Sequence, residues 1–262
     1  MLMANELPEE LVTEILLYLP VVSLLRFNCV CKSWYALITH QNFIRKHLLH
    51  NKNNSTLLLL WEDETSEDDA VSSLSCETLQ LSLTQPLPLR FTEVTSIVGS
   101  CDGIVCLSDD DALNVVIWNP ATKETKVVPK SSLSRFSYDY HIKSGIGFGF
   151  DAKTSDYLII KFFSLFDSNE SDYYEGHVPC YTISEVYSLS ADSWRKVDSR
   201  PGLIDIRAMD TYINEMASWE AFDDDWEGVL SFAMSGEVFL KTPLPDDVLN
   251  GRGWRNVFVF LC

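Results

Sequence analysis

The sequence predicts an α+β protein in which three short N-terminal helices precede a larger antiparallel all-β domain. Apolar residues recur at helical spacing between residues 7 and 48, and they alternate with polar residues at strand spacing after residue 55. Three segments of the second part also follow one plan of strand, turn and strand. This repetition favours stacked sheets in a β-propeller-like domain.

The first helix is predicted from apolar residues four positions apart, which share one helical face: Leu7, Leu11, Ile15 and Leu19. Pro8 is tolerated in a first turn, and Pro20 ends the helix. Ser23 is a candidate N-cap for a second helix, and a third short helix follows around Trp34. About forty residues are too few to close a core unaided. The surplus apolar surface therefore predicts a docking partner.

The same stretch carries a specific combination of motifs: Leu7-Pro8, Leu19-Pro20, Leu24-x-Arg26-Phe27 and Val30-Cys31-Lys32-Ser33-Trp34. This combination resembles the F-box of plant F-box proteins. The resemblance implies docking onto the Skp adaptor, and through it the cullin, of an SCF-type ubiquitin ligase. The alternative is a helical subdomain that packs on its own C-terminal domain. The residues assigned to adaptor binding are Leu7, Pro8, Leu11, Ile15, Leu16, Leu19, Leu24, Val30, Cys31 and Trp34.

Composition limits the remaining classes of function. No apolar run approaches the eighteen or so residues of a membrane span, and the N-terminus lacks a signal-peptide layout. The seven cysteines are scattered without paired zinc-ligand spacing, which favours reduced thiols in a cytoplasmic or nuclear protein. We expect no metal and no cofactor.

The net charge of −18 argues against binding to nucleic acid or to an anionic membrane. The excess of carboxylates lies after residue 50, in runs at 62–69, 109–111 and 223–227. These runs are either solvated loops or an acidic face that attracts a basic protein. The candidate target-binding residues are Asp109, Asp110, Asp111, Asp223, Asp224 and Asp225.

Domain boundaries follow from the change of periodicity. We expect an adaptor-binding domain at residues 1–50, a linker with first strands at 51–98, and the main β domain at 99–262. Leu57 to Trp61 reads as a buried strand, and Leu79 to Leu83 alternates like a strand with one wet face. No amphipathic helix is expected after residue 83.

The three similar segments are residues 115–129, 184–197 and 229–243. Aligning Trp118, Tyr187 and Phe232 gives spacings of 69 and 45 residues, near the length of a propeller blade. A hairpin is predicted before each of the first two copies. Asp102-Gly103 is common tight-turn chemistry, and the run Gly145-x-Gly147-x-Gly149 leaves room for a neighbouring element to approach closely.

These segments carry a second resemblance, to the plant F-box-associated domain, over most of residues 99–245. It rests on Gly-Ser-Cys-Asp-Gly-Ile-Val-Cys-Leu, Trp-Asn-Pro-Ala-Thr-Lys, Gly-Phe-Gly-Phe-Asp and Glu-Val-Tyr-Ser-Leu-x-x-x-Ser-Trp-Arg. Within the group the chain is similar to S-locus F-box and F-box/kelch-repeat proteins. That similarity implies a target-binding domain, and for the S-locus members a basic S-ribonuclease as target in self-incompatibility.

The chain departs from this pattern at its end. Relatives continue beyond the segment matched by Pro243-Leu244-Pro245, whereas this chain stops in an apolar run at 257–262. We therefore expect an incomplete β-propeller-like domain, with residues 257–262 ordered only if paired. A truncated, non-functional homologue is an open alternative.

Catalytic motifs are missing from the sequence. No His-Glu-x-x-His pair, Gly-x-Ser-x-Gly elbow or phosphate-binding glycine loop is present. Asp223-x-Asp225-x-Glu227 resembles a calcium loop, but its twelfth position is Met234. The sequence therefore predicts a substrate receptor without enzymatic activity. A carbohydrate- or small-molecule-binding module is the alternative, since seven Trp and ten Tyr are available to line a pocket.

Overall fold

The structure is a computed structural model. It describes residues 7–51, 56–61, 70–75, 80–87, 95–109, 114–132, 142–165, 181–202, 204–213, 215–223 and 225–244. The chain divides into two compact units, Met1–Arg90 with Asn119–Glu124, and Phe91–Trp118 with Thr125–Cys262. The apolar run at 257–262 lies outside the described residues.

The first unit begins with four helices, one more than the sequence predicts. They are α1 (Glu9–Leu17), α2 (Val21–Phe27), α3 (Lys32–Thr39) and α4 (Gln41–Asn51). The break between α3 and α4 is at His40, whose backbone is extended with ψ 133°. Its carbonyl then accepts hydrogen bonds from the amides of Phe43 and Ile44, at 2.9 and 3.1 Å, and starts the fourth helix. Neither Pro nor Gly marks this break, so helical periodicity does not reveal it.

The assignment of Ser23 as an N-cap is wrong. Pro20, with ψ 148°, is the N-cap of α2, and its carbonyl accepts from the amides of Ser23 and Leu24 at 2.9 and 3.1 Å. The chain thus enters α2 directly after Pro20, and Ser23 lies inside the helix. Pro8 has the same place before α1, with ψ 141°, instead of lying in its first turn. Proline suits this position because it lacks the backbone N–H, and the N–H of an N-cap residue makes no hydrogen bond within the helix.

The four helices close a small core of their own. It consists of buried residues, one from each helix: Leu16, Leu24, Ile38 and Phe43. His47 of α4 is also buried, and its Nε2 lies 2.9 Å from the carbonyl oxygen of Leu19. This contact ties the last helix to the turn between α1 and α2. In the described part of the chain, every helix is too short or too polar to cross a bilayer.

The first unit also contains a three-stranded antiparallel sheet, in the order β1 (Thr56–Trp61), β2 (Ala70–Ser75) and β3 (Leu81–Pro86). The strand predicted at Leu57 to Trp61 is confirmed. The strand predicted from Leu79 begins at Leu81 and continues to Pro86.

Three four-stranded antiparallel sheets follow, and in each of them the strands pair in chain order. The first sheet contains β4 (Thr95–Cys101), β5 (Ile104–Asp109), β6 (Val115–Asn119) and β7 (Glu124–Val127). The second contains β8 (Ile142–Asp151), β9 (Asp156–Leu165), β10 (Tyr181–Ser188) and β11 (Ser193–Val197). The third contains β12 (Asp205–Ile213), β13 (Met216–Phe222), β14 (Glu227–Ala233) and β15 (Val238–Pro243).

The three similar segments of the sequence are the third and fourth strands of these sheets. The aligned residues Trp118, Tyr187 and Phe232 occupy the third strand each time, and all three are buried. The Asp102-Gly103 turn joins β4 to β5, with positive φ at both residues. The repeat and the turn predicted from sequence are therefore confirmed.

Stacking of the sheets produces the main core. The first strands β4, β8 and β12 contact one another. The second sheet is covered on both faces because its residues alternate: Ile159 packs toward the first sheet, whereas Leu158 and Ile160 pack toward the third. Successive four-stranded sheets that stack through their faces, with their first strands innermost, form the predicted β-propeller-like arrangement.

Candidate functional site

One face of α1 is apolar and exposed. Leu11 and Ile15 lie four residues apart on this face and are 50% and 55% exposed. Leu7, just before the helix, is 60% exposed. Tyr18 continues the row, and its ring meets the ring of His50 edge-on at 4.3 Å. We call Leu7, Leu11, Ile15 and Tyr18 the α1 face. An exposed contiguous row of large apolar side chains is typical of a protein-docking surface.

The opposite side of α1 belongs to the helical core. Leu16 is 1% exposed, and Leu24 of α2 is 5% exposed. Leu19 and Trp34 are half-buried against the same core, and the Trp34 ring packs edge-on against Phe27 at 5.4 Å. Four of the ten residues assigned to adaptor binding therefore pack within the helical unit in this structure.

The turn between α2 and α3 presents a second exposed area. Val30 is 59% exposed, and Cys31 beside it is also exposed. The Ser33 hydroxyl, 3.1 Å from Cys31 Sγ, lowers the pKa of this thiol. Pro8, which precedes α1, is exposed as well. Six of the ten residues assigned to adaptor binding are therefore exposed: Leu7, Pro8, Leu11, Ile15, Val30 and Cys31. Other exposed apolar residues of the helices did not enter it: Tyr18, Val22, Leu25, Tyr35, Ile44 and Leu49.

The candidate target-binding carboxylates differ in their surroundings. Asp109 is buried, and its carboxylate accepts hydrogen bonds from the backbone and side-chain amides of Asn114 at 3.0 and 2.6 Å. Asp223 accepts from Lys241 Nζ at 2.9 Å, which lowers the pKa of this carboxyl. Asp225 is exposed. Asp110, Asp111 and Asp224 lie outside the described residues.

Two ion pairs show how the ends of the three sheets are aligned. Lys126, the third residue of β7, contacts Asp192 in the β10–β11 turn. Arg195, the third residue of β11, contacts Glu237 in the β14–β15 turn. The turns between third and fourth strands therefore lie at one common end. In an antiparallel sheet with strands in chain order, the connection between second and third strands leaves from the opposite end. The carboxylate runs after β5 and β13 thus begin at the same end of the unit, opposite to those turns. We call this end the common edge.

Comparison with known proteins identifies both parts of the chain. Residues 5–46 match the F-box domain, and residues 59–252 match the F-box associated beta propeller domain. The chain belongs to this F-box family. The F-box match covers α1 to α3 and the first half of α4, so it includes the α1 face. Both resemblances stated from the sequence motifs are confirmed.

Curated relatives agree with this identification. A putative F-box protein of Arabidopsis thaliana is 29% identical over 93% of this chain and 67% of its own length. A second one is 31% identical over 90% of this chain and 61% of its own length. An F-box/kelch-repeat protein of the same plant is 29% identical over 95% of this chain and 68% of its own length. This F-box protein thus spans 61% to 68% of the length of these relatives.

Proposed function

We propose that this F-box protein is the substrate-recognition subunit of an SCF-type ubiquitin ligase. The F-box helices dock on the Skp adaptor, and the β-propeller-like domain binds the target protein. The observation that carries the proposal is the α1 face. Its apolar side chains are exposed although the helical unit already has a closed core, which contains Leu16 and Leu24.

Burial of one large apolar side chain contributes about 1.5–3 kcal/mol, so three half-exposed leucine and isoleucine side chains contribute several kcal/mol when a partner covers them. Leu11 and Ile15 lie on one ridge of α1, and Leu7 is exposed just before the helix. Such a row fits a groove between helices of a partner. Val30 and Cys31 add a second area of contact on the same unit.

In this proposal the chain carries out no chemistry. It holds the target beside a charged ubiquitin carrier and so raises the effective concentration of one for the other. F-box proteins generally act as such non-catalytic adaptors, and the names of the relatives agree with this role.

Co-purification of the full chain with a Skp adaptor tests the docking step. Leu11→Glu with Ile15→Glu places charges on the α1 face while keeping good helix formers, so we expect at least a hundredfold loss of adaptor affinity. Val127→Glu is the matched control, since Val127 is 61% exposed on β7. Equal adaptor binding by the double variant and the control would refute the docking site.

A basic target protein is the second part of the proposal. It is supported by the common edge from which the second-to-third strand connections leave. Among the described residues at this edge, Asp225 is exposed, whereas Asp109 is buried and Asp223 contacts Lys241. The sequence adds an excess of carboxylates after residue 50. Such an edge attracts and orients a positively charged protein through its long-range field.

Binding of a basic ribonuclease of the S-ribonuclease class tests this part, with an acidic protein of similar size as the comparison. We expect binding only of the basic protein, and weaker binding at about 0.5 M salt than at about 0.05 M because exposed charges are then screened. Asp225→Asn weakens binding, whereas Asp102→Asn, at the opposite end of the first sheet, leaves it unchanged. Salt-independent binding would contradict electrostatic recognition.

A further inference from the structure

The third and fourth strands of each four-stranded sheet form a hairpin, which we call the outer hairpin. The three outer hairpins share two equivalent positions, one in the turn and one on the fourth strand. Five positions after the aligned buried aromatics, the turn residue has a positive φ each time. These turn residues are Lys123 (63°), Asp192 (48°) and Glu237 (51°). Three positions later, the fourth strand presents a side chain toward the surface. These strand residues are Lys126, Arg195 and Leu240.

The strand residue of one sheet contacts the turn residue of the next. Lys126 Nζ of the first sheet lies 2.6 Å from Asp192 Oδ2 of the second. Arg195 of the second sheet forms a two-pronged contact with Glu237 of the third, with Nη1 2.7 Å from Oε2 and Nη2 bonded to Oε1. The same cation-to-carboxylate contact thus occurs at both junctions between consecutive four-stranded sheets.

The carboxylate of Asp192 is held by its own sheet as well as by the neighbouring cation. At the first junction, Tyr187 Oη donates to Asp192 Oδ1 at 2.7 Å, which leaves Oδ2 for Lys126. Tyr187 is itself a buried core residue of the second sheet. The position of the carboxylate is therefore fixed by the fold of its own sheet, and Lys126 and Tyr187 together lower the pKa of Asp192.

We propose that these two positions form a recognition contact between sheets, in which the fourth-strand cation determines which outer hairpin packs against it. Apolar burial is non-directional, and the charges add a second determinant of which outer hairpin lies beside the fourth strand. A cation that meets an acidic turn residue favours the native order, and a like-charge pair disfavours a wrong one. Surface ion pairs add little stability, so we assign these pairs to the choice of neighbouring hairpin.

The third sheet supplies an internal control. Its strand residue is Leu240, which is 48% exposed. Leu240→Arg places a cation at the equivalent position of a sheet that, among the described residues, is the last of the series. We expect no loss of stability from this change.

Charge reversal at both junctions of the full chain tests the proposal, with urea unfolding measured in low salt. The single changes are Lys126→Glu, Asp192→Lys, Arg195→Glu and Glu237→Arg. We expect each reversal at the Arg195–Glu237 junction to raise the unfolding equilibrium constant about two- to five-fold, and those at the more exposed Lys126–Asp192 junction less. The matched double reversal restores it at the Arg195–Glu237 junction. At the Lys126–Asp192 junction it restores it only in part, because Asp192→Lys also removes the acceptor of the Tyr187 hydrogen bond. About 1 M salt removes the charge-dependent difference.

Two outcomes separate pair recognition from a general charge effect. The chain carries a net charge of −18, so general repulsion predicts that Asp192→Lys and Glu237→Arg stabilise it. Recognition between sheets predicts that both destabilise it. Only Glu237→Arg separates the two explanations fully, because Asp192→Lys also loses the hydrogen bond from Tyr187 within its own sheet. Combining Lys126→Glu with Glu237→Arg, which belong to different junctions, should restore nothing. Stabilisation by either acid-to-base change, or rescue by the crossed pair, would overturn the proposal. Where a reversal prevents folding, Lys126→Met and Arg195→Met give the same comparison with a neutral side chain.

Discussion

The indole Nε1 of Trp219 donates a hydrogen bond, 3.0 Å long, to the backbone carbonyl of Ile146. The bond joins the second strand of the third sheet to the first strand of the second sheet, and both groups are buried. An indole ring can reach a backbone carbonyl in the middle of a strand only if the residues next to that carbonyl have no bulky side chains. Gly145 and Gly147 flank Ile146, and they leave that room. The close approach predicted from alternating glycines is confirmed.

Gly147→Ala is expected to destabilise the sheet stack. An added Cβ at this position would lie 2.7 Å from Ala217 Cβ and 2.7 Å from Trp219 Cζ2. Both neighbours are core residues, so overpacking should cost about 1–3 kcal/mol of unfolding free energy. Gly99→Ala is the control, since its Cβ would meet Phe148 at an ordinary 3.6 Å. Urea unfolding of the two variants measures the difference, and equal midpoints would contradict the argument.

Leu16 and Leu11 lie on opposite sides of α1 and should respond differently to the same substitution. Leu16→Ala removes a side chain that is 1% exposed and should lower the stability of the helical unit by about 2–5 kcal/mol. Leu11→Ala removes one that is 50% exposed and should change the stability by less than about 0.5 kcal/mol. Amide hydrogen exchange in α1 to α4 reports on this unit separately from the sheets. Comparable protection in both variants would refute the assignment of faces.

Ser184 is expected to be better replaced by alanine. Its hydroxyl oxygen is buried and has no hydrogen-bond partner in the described structure. Ser184→Ala therefore removes an unsatisfied polar group and should raise the unfolding free energy by about 1 kcal/mol. Thr182 on the same strand is the matched case, because its hydroxyl donates to the carbonyl of Gly202 at 2.7 Å. Thr182→Val should lower stability in the same urea titration, so effects of equal sign would disprove the distinction.

The sequence predicts the elements of this fold better than it predicts which charges meet. The hairpins follow from local chemistry: Asp102-Gly103 fits a turn with positive φ, and strand alternation marks which residues face inward. The break at His40 has no such local signal, and three helices are therefore expected where four occur. The pair Lys126 and Asp192 joins residues of different sheets. It becomes visible only when the aligned repeats are read as neighbours in space.

The sequence also predicts the candidate site only in part. Periodicity places Leu7, Leu11 and Ile15 on one helical face. The structure leaves all three exposed, but the helix begins after Leu7. It does not separate residues that hold the helical unit together, such as Leu24, from residues available to a partner, because both kinds are apolar. Asp109 shows the same limit for charge. A run of three aspartates reads as solvated, yet its first member is buried and bonds to Asn114.

Lys161 gives a prediction for pH. It is 2% exposed on β9, its Nζ lies 5.4 Å from the centre of the Trp194 ring, and it is directly opposite Glu185 in the sheet. Burial lowers the pKa of Lys161 from 10.5 to about 8, while the neighbouring Cys106, Asp109 and Glu185 act in the opposite direction. The unfolded chain keeps this proton up to a pH near 10.5, so it binds more protons than the folded chain between pH 8 and 10.5.

The unfolding free energy contributed by Lys161 must therefore rise with pH in this window, in total by on the order of 3 kcal/mol. Below pH 8 the folded protein carries the full cost of burying the ammonium group, and deprotonation removes that cost. The measurement is urea unfolding of wild type and Lys161→Met between about pH 7.5 and 9.5, below the range in which the tyrosines titrate. Tyr157 and Tyr187 titrate above this window because burial raises the pKa of both. The wild-type free energy minus that of Lys161→Met should increase with pH, since both proteins share every other titrating group. A difference that stays constant would show that Lys161 keeps an ordinary pKa when folded.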